Sequence, residues 1–455
     1  MIVANPIDIP EIRALVATFI SRPDAVSCSL VCKAWSQEFI ARIWHSVDLY
    51  CEEEFEAMDP NVVSKHGHHI RELNFHSRVE NSNLGHSSVQ NVSKLLMVLS
   101  SQPNVRSWAI DFLRQNRNAI KELRIVDCAS SIHGSCLNFA DALIPRTPPY
   151  VSNLTDLSLS YIQMTRESFS ELISACPQLT YVRLFGCIFR QSFITKPIKN
   201  YHVTHIETSF TQIQSEPSSS SILEHFPNLR SWKVDTSRTV LPIDVDAILD
   251  DLMKYCPSLD TIDLQSLSVA VAIKLMTKIS GPLTSVSFNG RILKQDVILG
   301  LLFHKDSLKH VHARPYNHPF IDYIDEDLRG MGEIRIESEL SWTLQILTMN
   351  CPNLEKIILP ELEAEMKHIE RFPWICKNLS HLAIRIDGLK TKDSILEVIE
   401  IWRKARLARR KKDLIELDAI IKKCDSMSIK DRVARHLLQF EKLDTLWLGY
   451  KTWRA

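Results

Sequence analysis

The chain has 455 residues, with 54 lysines plus arginines against 54 aspartates plus glutamates. That length exceeds what one compact core usually holds, and the balanced charge leaves no overall field to draw the protein to nucleic acid or to an anionic membrane. Its longest apolar runs, such as Val297 to Phe303, fall far short of the roughly 18 residues a membrane-spanning helix needs, so neither kind of partner is expected.

The N-terminus, Met1 to Pro6, has no basic stretch followed by an apolar core. No secretory leader is read there, and a reducing intracellular compartment, cytoplasmic or nuclear, is expected. The 11 cysteines agree with this, since the number is odd and no Cys-x-x-Cys occurs. Cys176, Cys256 and Cys351 each precede a proline, a repeated placement that suits buried free thiols better than disulfides or zinc.

In chain order, Pro10 opens a first amphipathic helix carrying Ile12, Leu15, Val16, Phe19 and Ile20. Arg22-Pro23-Asp24 breaks it, and Asp24 is placed to cap a second helix in which Cys28, Val31, Cys32 and Trp35 make an apolar stripe. A third helix holds Phe39, Ile40, Ile43 and Trp44. Three helices this short need a partner to complete a core. Residues 48–69 read as a solvated acidic connection followed by a surface loop with His66, His68 and His69. No acidic or thiol ligand stands at a fixed spacing beside those histidines, so no metal is expected.

From Ile70 onward an apolar triplet at relative positions one, four and six recurs, first as Ile70-Leu73-Phe75. Its last two members lie two apart and point to one face, which fits a short strand entered from a turn. Residues 89–116 read as helical, although Val105-Trp108-Ile110 inside them also fits a strand. The triplet then returns at Ile120, Leu154, Leu179, Val203, Leu229, Leu259, Leu283, Leu308, Met331, Leu354, Leu379 and Leu443. From Leu154 to Leu379 the steps, by subtraction, are 25, 24, 26, 30, 24, 25, 23, 23 and 25 residues. Between triplets, runs such as Glu167 to Ala175, with Phe169, Leu172 and Ile173, have helical spacing. Ser394 to Lys423 reads as one long helix carrying the basic run 403–412, either a solvated helix face or a nuclear import signal.

A strand-plus-helix unit of this period resembles the leucine-rich repeats, over roughly residues 70–450. Cys128 and Cys187 follow their triplets at the ladder position of the cysteine-containing repeat type. The resemblance implies an α/β fold, a leucine-rich-repeat solenoid with a curved, mostly parallel sheet and outer helices, over residues 70–455. The segment before it resembles an F-box, through Ile9-Pro10-x-Ile12, Ser29 to Trp35 and Ile43-Trp44. That implies a small all-helical F-box over residues 1–47, a connecting segment over 48–69, and attachment to the Skp adaptor of cullin-RING ubiquitin ligases. On this resemblance Pro10, Ile12, Val16, Leu30, Val31 and Trp35 divide between the adaptor interface and the helical core, in a way the sequence does not sort. Ile9 stands where the family usually has leucine. The other reading of these helices is a cap on the first repeat.

Enzyme chemistry finds no support: there is no Gly-x-Ser-x-Gly elbow, phosphate loop, dinucleotide turn or His-Glu-x-x-His helix, and no cofactor is expected. In a repeat sheet, triplet positions three and five face away from the apolar core, where such folds bind partners. The substrate-binding candidates in those slots are Tyr181 with Arg183, Arg335 with Lys356 as an anion-receiving pair on adjacent strands, and His310 with His312. The expected function is that of a non-catalytic substrate receptor, linked through the Skp adaptor to cullin and RING subunits and holding a protein substrate. The alternative is a repeat scaffold without a ligase, nuclear through residues 403–412.

Overall fold

The computed structural model describes residues 9–51, 54, 58–76, 89–99, 103–127, 152–190, 198–208, 221–234, 245–264, 268–289, 295–314, 337–389, 391–424 and 428–448. They fall into two units, Met1–Leu229 and Arg230–Ala455.

The first unit begins with three helices, α1 (Pro10–Phe19), α2 (Arg22–Ser29) and α3 (Lys33–Trp44). Pro10 sits where a missing amide hydrogen costs nothing. Ser21, not Asp24, caps α2: its hydroxyl accepts from the Asp24 amide at 3.3 Å and donates to the Asp24 carboxylate at 2.5 Å. Because α2 ends at Ser29, the stripe expected on one helix divides, with Val31 and Cys32 in the turn and Trp35 in the first turn of α3. Ala17, Ala25 and Phe39 form the core, covered by Val16, Ile20, Cys28, Trp35 and Ile43.

The strands and helices that follow are β1 (Ser46–Leu49), α4 (Pro60–His66), β2 (Glu72–Phe75), β3 (Lys94–Leu99), α5 (Pro103–Asn116), β4 (Glu122–Asp127), β5 (Asp156–Ser160), β6 (Gln163–Thr165), α6 (Arg166–Ala175), β7 (Tyr181–Phe185), β8 (Ile188–Arg190) and β9 (His205–Thr208). β1, β2, β3, β4, β5, β7 and β9 form one parallel sheet in that order, while β6 and β8 pair separately. The sheet starts earlier than Ile70, because Val47 and Leu49 of β1 lie in register with Leu73 and Phe75. β3 replaces part of the helix expected over 89–116: Leu95, Met97 and Leu99 alternate inward, and the additional Leu96 and Val98 had imitated a helical stripe. Val105, Trp108 and Ile110 lie on α5, which removes the strand alternative there.

Each repeat is tied to the one before it at the entrance to its strand. The Lys121 carbonyl accepts from the Thr155 amide at 2.8 Å, the Asp156 amide at 3.1 Å and the Thr155 hydroxyl at 3.1 Å. Thr180 meets the Thr155 carbonyl in the same way, and Thr284 and Ser380 do so in the second unit with Asp260 and Glu355. A hydroxyl residue directly after the first apolar member of the triplet adds a third bond to this joint, which Lys121, Lys309 and Glu355 make through backbone amides alone. Asn200, 5% exposed, stitches the first unit further: it donates to the Ile173 and Cys176 carbonyls and accepts from the His202 and Val203 amides.

The second unit comprises β10 (Ser231–Val234), α7 (Val245–Tyr255), β11 (Thr261–Asp263), α8 (Val269–Lys278), β12 (Ser285–Asn289), α9 (Gln295–Leu301), β13 (His310–Arg314), α10 (Glu337–Asn350), β14 (Lys356–Ala364), α11 (Met366–Arg371), β15 (His381–Ile386), α12 (Lys392–Lys411), α13 (Leu414–Lys423), α14 (Ile429–Leu438) and β16 (Thr445–Leu448). Its strands β10 to β16 pair in sequence order, all parallel. Both units are thus stacks of leucine-rich repeats, an α/β fold in which the second and third triplet members, such as Val286 and Phe288, are fully buried.

The triplet Met331-Ile334-Ile336 lies outside the described residues; β13 pairs directly with β14, with His310 beside Lys356. One expectation is corrected here. The long helix over 394–423 is two helices, broken where Lys412 takes a left-handed conformation with φ 58° and Asp413 caps α13. The break lets Leu417 and Ile420 return against the Ala405, Cys424, Ala434 and Leu438 cluster.

His436 on α14 packs edge-on against Trp374 at 4.8 Å and Phe440 at 5.3 Å, and burial among these rings lowers its pKa to about 3. Unfolded, it would titrate near its ordinary 6.5, so between these values the unfolded chain binds more protons and stability falls as pH falls below about 6.5. His436→Phe is expected to flatten this acid loss. Urea midpoints measured at pH 7 and pH 5 should lie closer together in the variant than in the parent; equal separations would show that His436 is not responsible.

Candidate functional site

The sheet of the first unit presents two rows of side chains on its polar face. Lys94, Glu122, Asp156 and Tyr181 are in register along β3, β4, β5 and β7; two residues further on lie Leu96, Arg124, Ser158 and Arg183. Strand alternation alone produces this, because the apolar partners of each triplet take the opposite face. Together the rows line a cleft of about 280 Å³.

The cleft is a mosaic of charge. Lys94 pairs with Glu122 at 3.2 Å, and this hydrogen bond holds the lysine pKa above its usual value. The Thr155 hydroxyl, 3.1 Å from the Lys121 carbonyl, lies 2.6 Å from the Asp156 carboxylate and shares its one hydrogen between them. At one end, the carboxylate of Glu207 on β9 accepts from the Tyr181 phenol at 2.8 Å and pairs with Arg183 at 3.3 Å. Burial first, and this bond second, push the Tyr181 pKa up to about 12, so the phenol remains a neutral donor. The Glu207 side chain is 7% exposed and anchors both partners from the neighbouring strand, where it lies in register with Arg183.

Tyr181 and Arg183, expected as a pair, therefore do stand together, and Glu207 is the residue the sequence reading passed over. Its signal was present: in Val203-x-x-Ile206-x-Thr208 the fifth position is Glu207, but a polar residue at the sixth position hid the slot. The other candidates belong to the second unit. His310 and His312 lie on β13, and His310, Lys356 and His381 are in register on β13, β14 and β15. Desolvation, then the Lys356 charge, lowers the pKa of His310, whose Nε2 lies 3.9 Å from the Glu355 carboxylate. Among the described residues no cluster of His, Cys, Asp and Glu could hold a metal. Arg335 lies outside the described residues, and the neighbour of Lys356 on the preceding strand is His310.

The residues singled out in the N-terminal helices separate by burial. Val16 and Trp35 cover the helical core and Ile12 is half-buried, whereas Pro10 is exposed and Leu30 and Val31 are 81% and 63% exposed. Leu15 and Phe19 of α1 are exposed as well. The basic run on α12 is largely engaged internally: Arg406 and Arg410 pair with Asp444, Arg409 donates to the Leu438 and Phe440 carbonyls, and Lys404 pairs with Glu400.

No family model matches the chain, and no curated protein does. Among solved structures, the chain is similar to the leucine-rich-repeat-containing protein LegL7 from Legionella pneumophila, at 11% identity and a TM-score of 0.33, over 65% of this chain and 95% of that one. No helix among the described residues is long and apolar enough to cross a membrane.

Proposed function

We propose that the chain is a substrate-recognition subunit of a cullin-RING ubiquitin ligase. Helices α1–α3 dock as an F-box onto the Skp adaptor, and the repeat sheet holds a protein substrate. The observation that carries this reading is the outward display of Pro10, Leu30 and Val31, apolar residues matching the F-box motif. A helical cap turns its apolar side chains onto the repeats and its polar face outward; apolar residues turned to solvent instead suit a protein partner. In this role the chain performs no chemistry of its own. Its contribution is proximity, converting the encounter of substrate and ubiquitin-charged enzyme into an effectively intramolecular one.

The test is co-purification with the Skp adaptor. Leu30→Asp combined with Val31→Asp places charge on two exposed positions, so circular dichroism should match the parent while adaptor binding falls by at least about thirtyfold, as expected for loss of interface anchors. An intact chain that never binds the adaptor would leave these helices as a cap and the protein as a repeat scaffold.

A further inference from the structure

The second row of the cleft holds three hydrogen-bond donors in register on neighbouring strands: Arg124 on β4, Ser158 on β5 and Arg183 on β7. Arg124 is exposed and makes no ion pair with any described residue. The Ser158 hydroxyl and the Arg183 Nε are shut off from solvent and have no hydrogen-bond partner among the described residues. We propose that Arg124, Ser158 and Arg183 form a subsite for a single carboxylate of a bound protein chain. The proposal deepens the reading of this sheet as a substrate-holding face and rests on it.

Neighbouring strands lie about 4.8 Å apart, so the two arginine stems stand roughly 10 Å from one another with Ser158 between them. The Arg124 fork reaching across that span and the Arg183 nitrogens not held by Glu207 can meet one anion from both sides, and the serine can donate from the floor. Glu207 fixes the Arg183 fork from the neighbouring strand, which lowers the ordering needed on binding. It also sets the charge. Arg124 and Arg183 against Glu207 leave one net positive charge, which a carboxylate balances. In the adjacent row Glu122 is paired with Lys94, which leaves Asp156 to oppose the second charge of a phosphoryl group. The neutral Tyr181 phenol, held by Glu207, gives the cleft an aromatic wall beside the anion.

The experiment uses the intact chain on arrayed random-sequence peptides in three amidated pools with Glu, Gln or phosphoserine at one fixed position, and a fourth pool whose fixed feature is a free C-terminal carboxylate. Binding to the glutamate or the free-terminus pool should exceed the glutamine and phosphoserine pools by at least about tenfold, and whichever of the two is stronger names the carboxylate's source. Arg124→Gln and Ser158→Ala should each reduce that preference, with Arg124→Gln bringing it near unity, while circular dichroism stays unchanged. Equal binding of all pools, a preference for phosphoserine, or a preference that survives in folded Arg124→Gln would overturn the subsite. Adaptor co-purification on the same preparations separates the two readings: a carboxylate preference without adaptor binding removes the ligase and keeps the subsite, and adaptor binding without the preference does the reverse.

Discussion

Asn200→Leu is expected to lower the stability of the first unit by about 2–6 kcal/mol, from one buried amide left unpaired at roughly 1–3 kcal/mol and two carbonyl hydrogen bonds lost at roughly 0.5–1.5 kcal/mol each. The amide is that of Val203; the Ile173 and Cys176 carbonyls keep the Cys176 and Leu179 amides as donors, and the amide of exposed His202 can turn to water. Asn228→Ala is the control. Its side chain donates to the Tyr201 carbonyl at 2.9 Å from an exposed position, so its loss should cost only about 0.5–1.5 kcal/mol. Urea unfolding measures both, and hydrogen exchange should place the Asn200 effect at β7 and β9. If the two substitutions cost the same, burial of the unpaired groups is not what makes Asn200 matter.

Trp232→Ala should cost the second unit about 3–5 kcal/mol, the range for emptying a large aromatic from a closed core. Trp232 is 0% exposed on β10 and lies in register with Ile262 of β11, itself beside Val286 of β12. Since repeats contact chiefly their neighbours, lost protection should concentrate in β10 and β11 and fade along the array. Ile262→Val, one methylene at the adjoining position, should cost only about 0.5–1.5 kcal/mol. Uniform loss of protection across β10 to β16 would mean that this unit opens all at once, against the nearest-neighbour account.

Strands such as that of Leu154-Leu157-Leu159 were legible because polar residues separate the apolar members and alternation then admits only one face, whereas β1 was hidden by the acidic run that follows it. Legibility failed where apolar residues filled both faces. In β3, Leu95 to Leu99 satisfy a helical and a strand period together, and sheet pairing on both sides decides for the strand. The break in the long C-terminal helix carries no Gly or Pro; its local mark is Asp413, which caps α13, while Lys412 adopts positive φ as packing of Leu417 and Ile420 favours the reversal. At the cleft, Tyr181 and Arg183 followed from their slots, but the carboxylate that positions them did not, since Thr208 is buried where an apolar residue was expected.

The buried thiols supply a record of how the array opens. Among the described residues, Cys176, Cys256, Cys351 and Cys376 each close a repeat just before its next strand, and burial pushes each pKa up to about 12. A thiol so far from ionising reacts with an alkylating agent only after its own repeat has parted from its neighbour. Mass spectrometry of a timed alkylation would date each parting by its cysteine, so the native chain, with no label added, reports the order in which its repeats come undone.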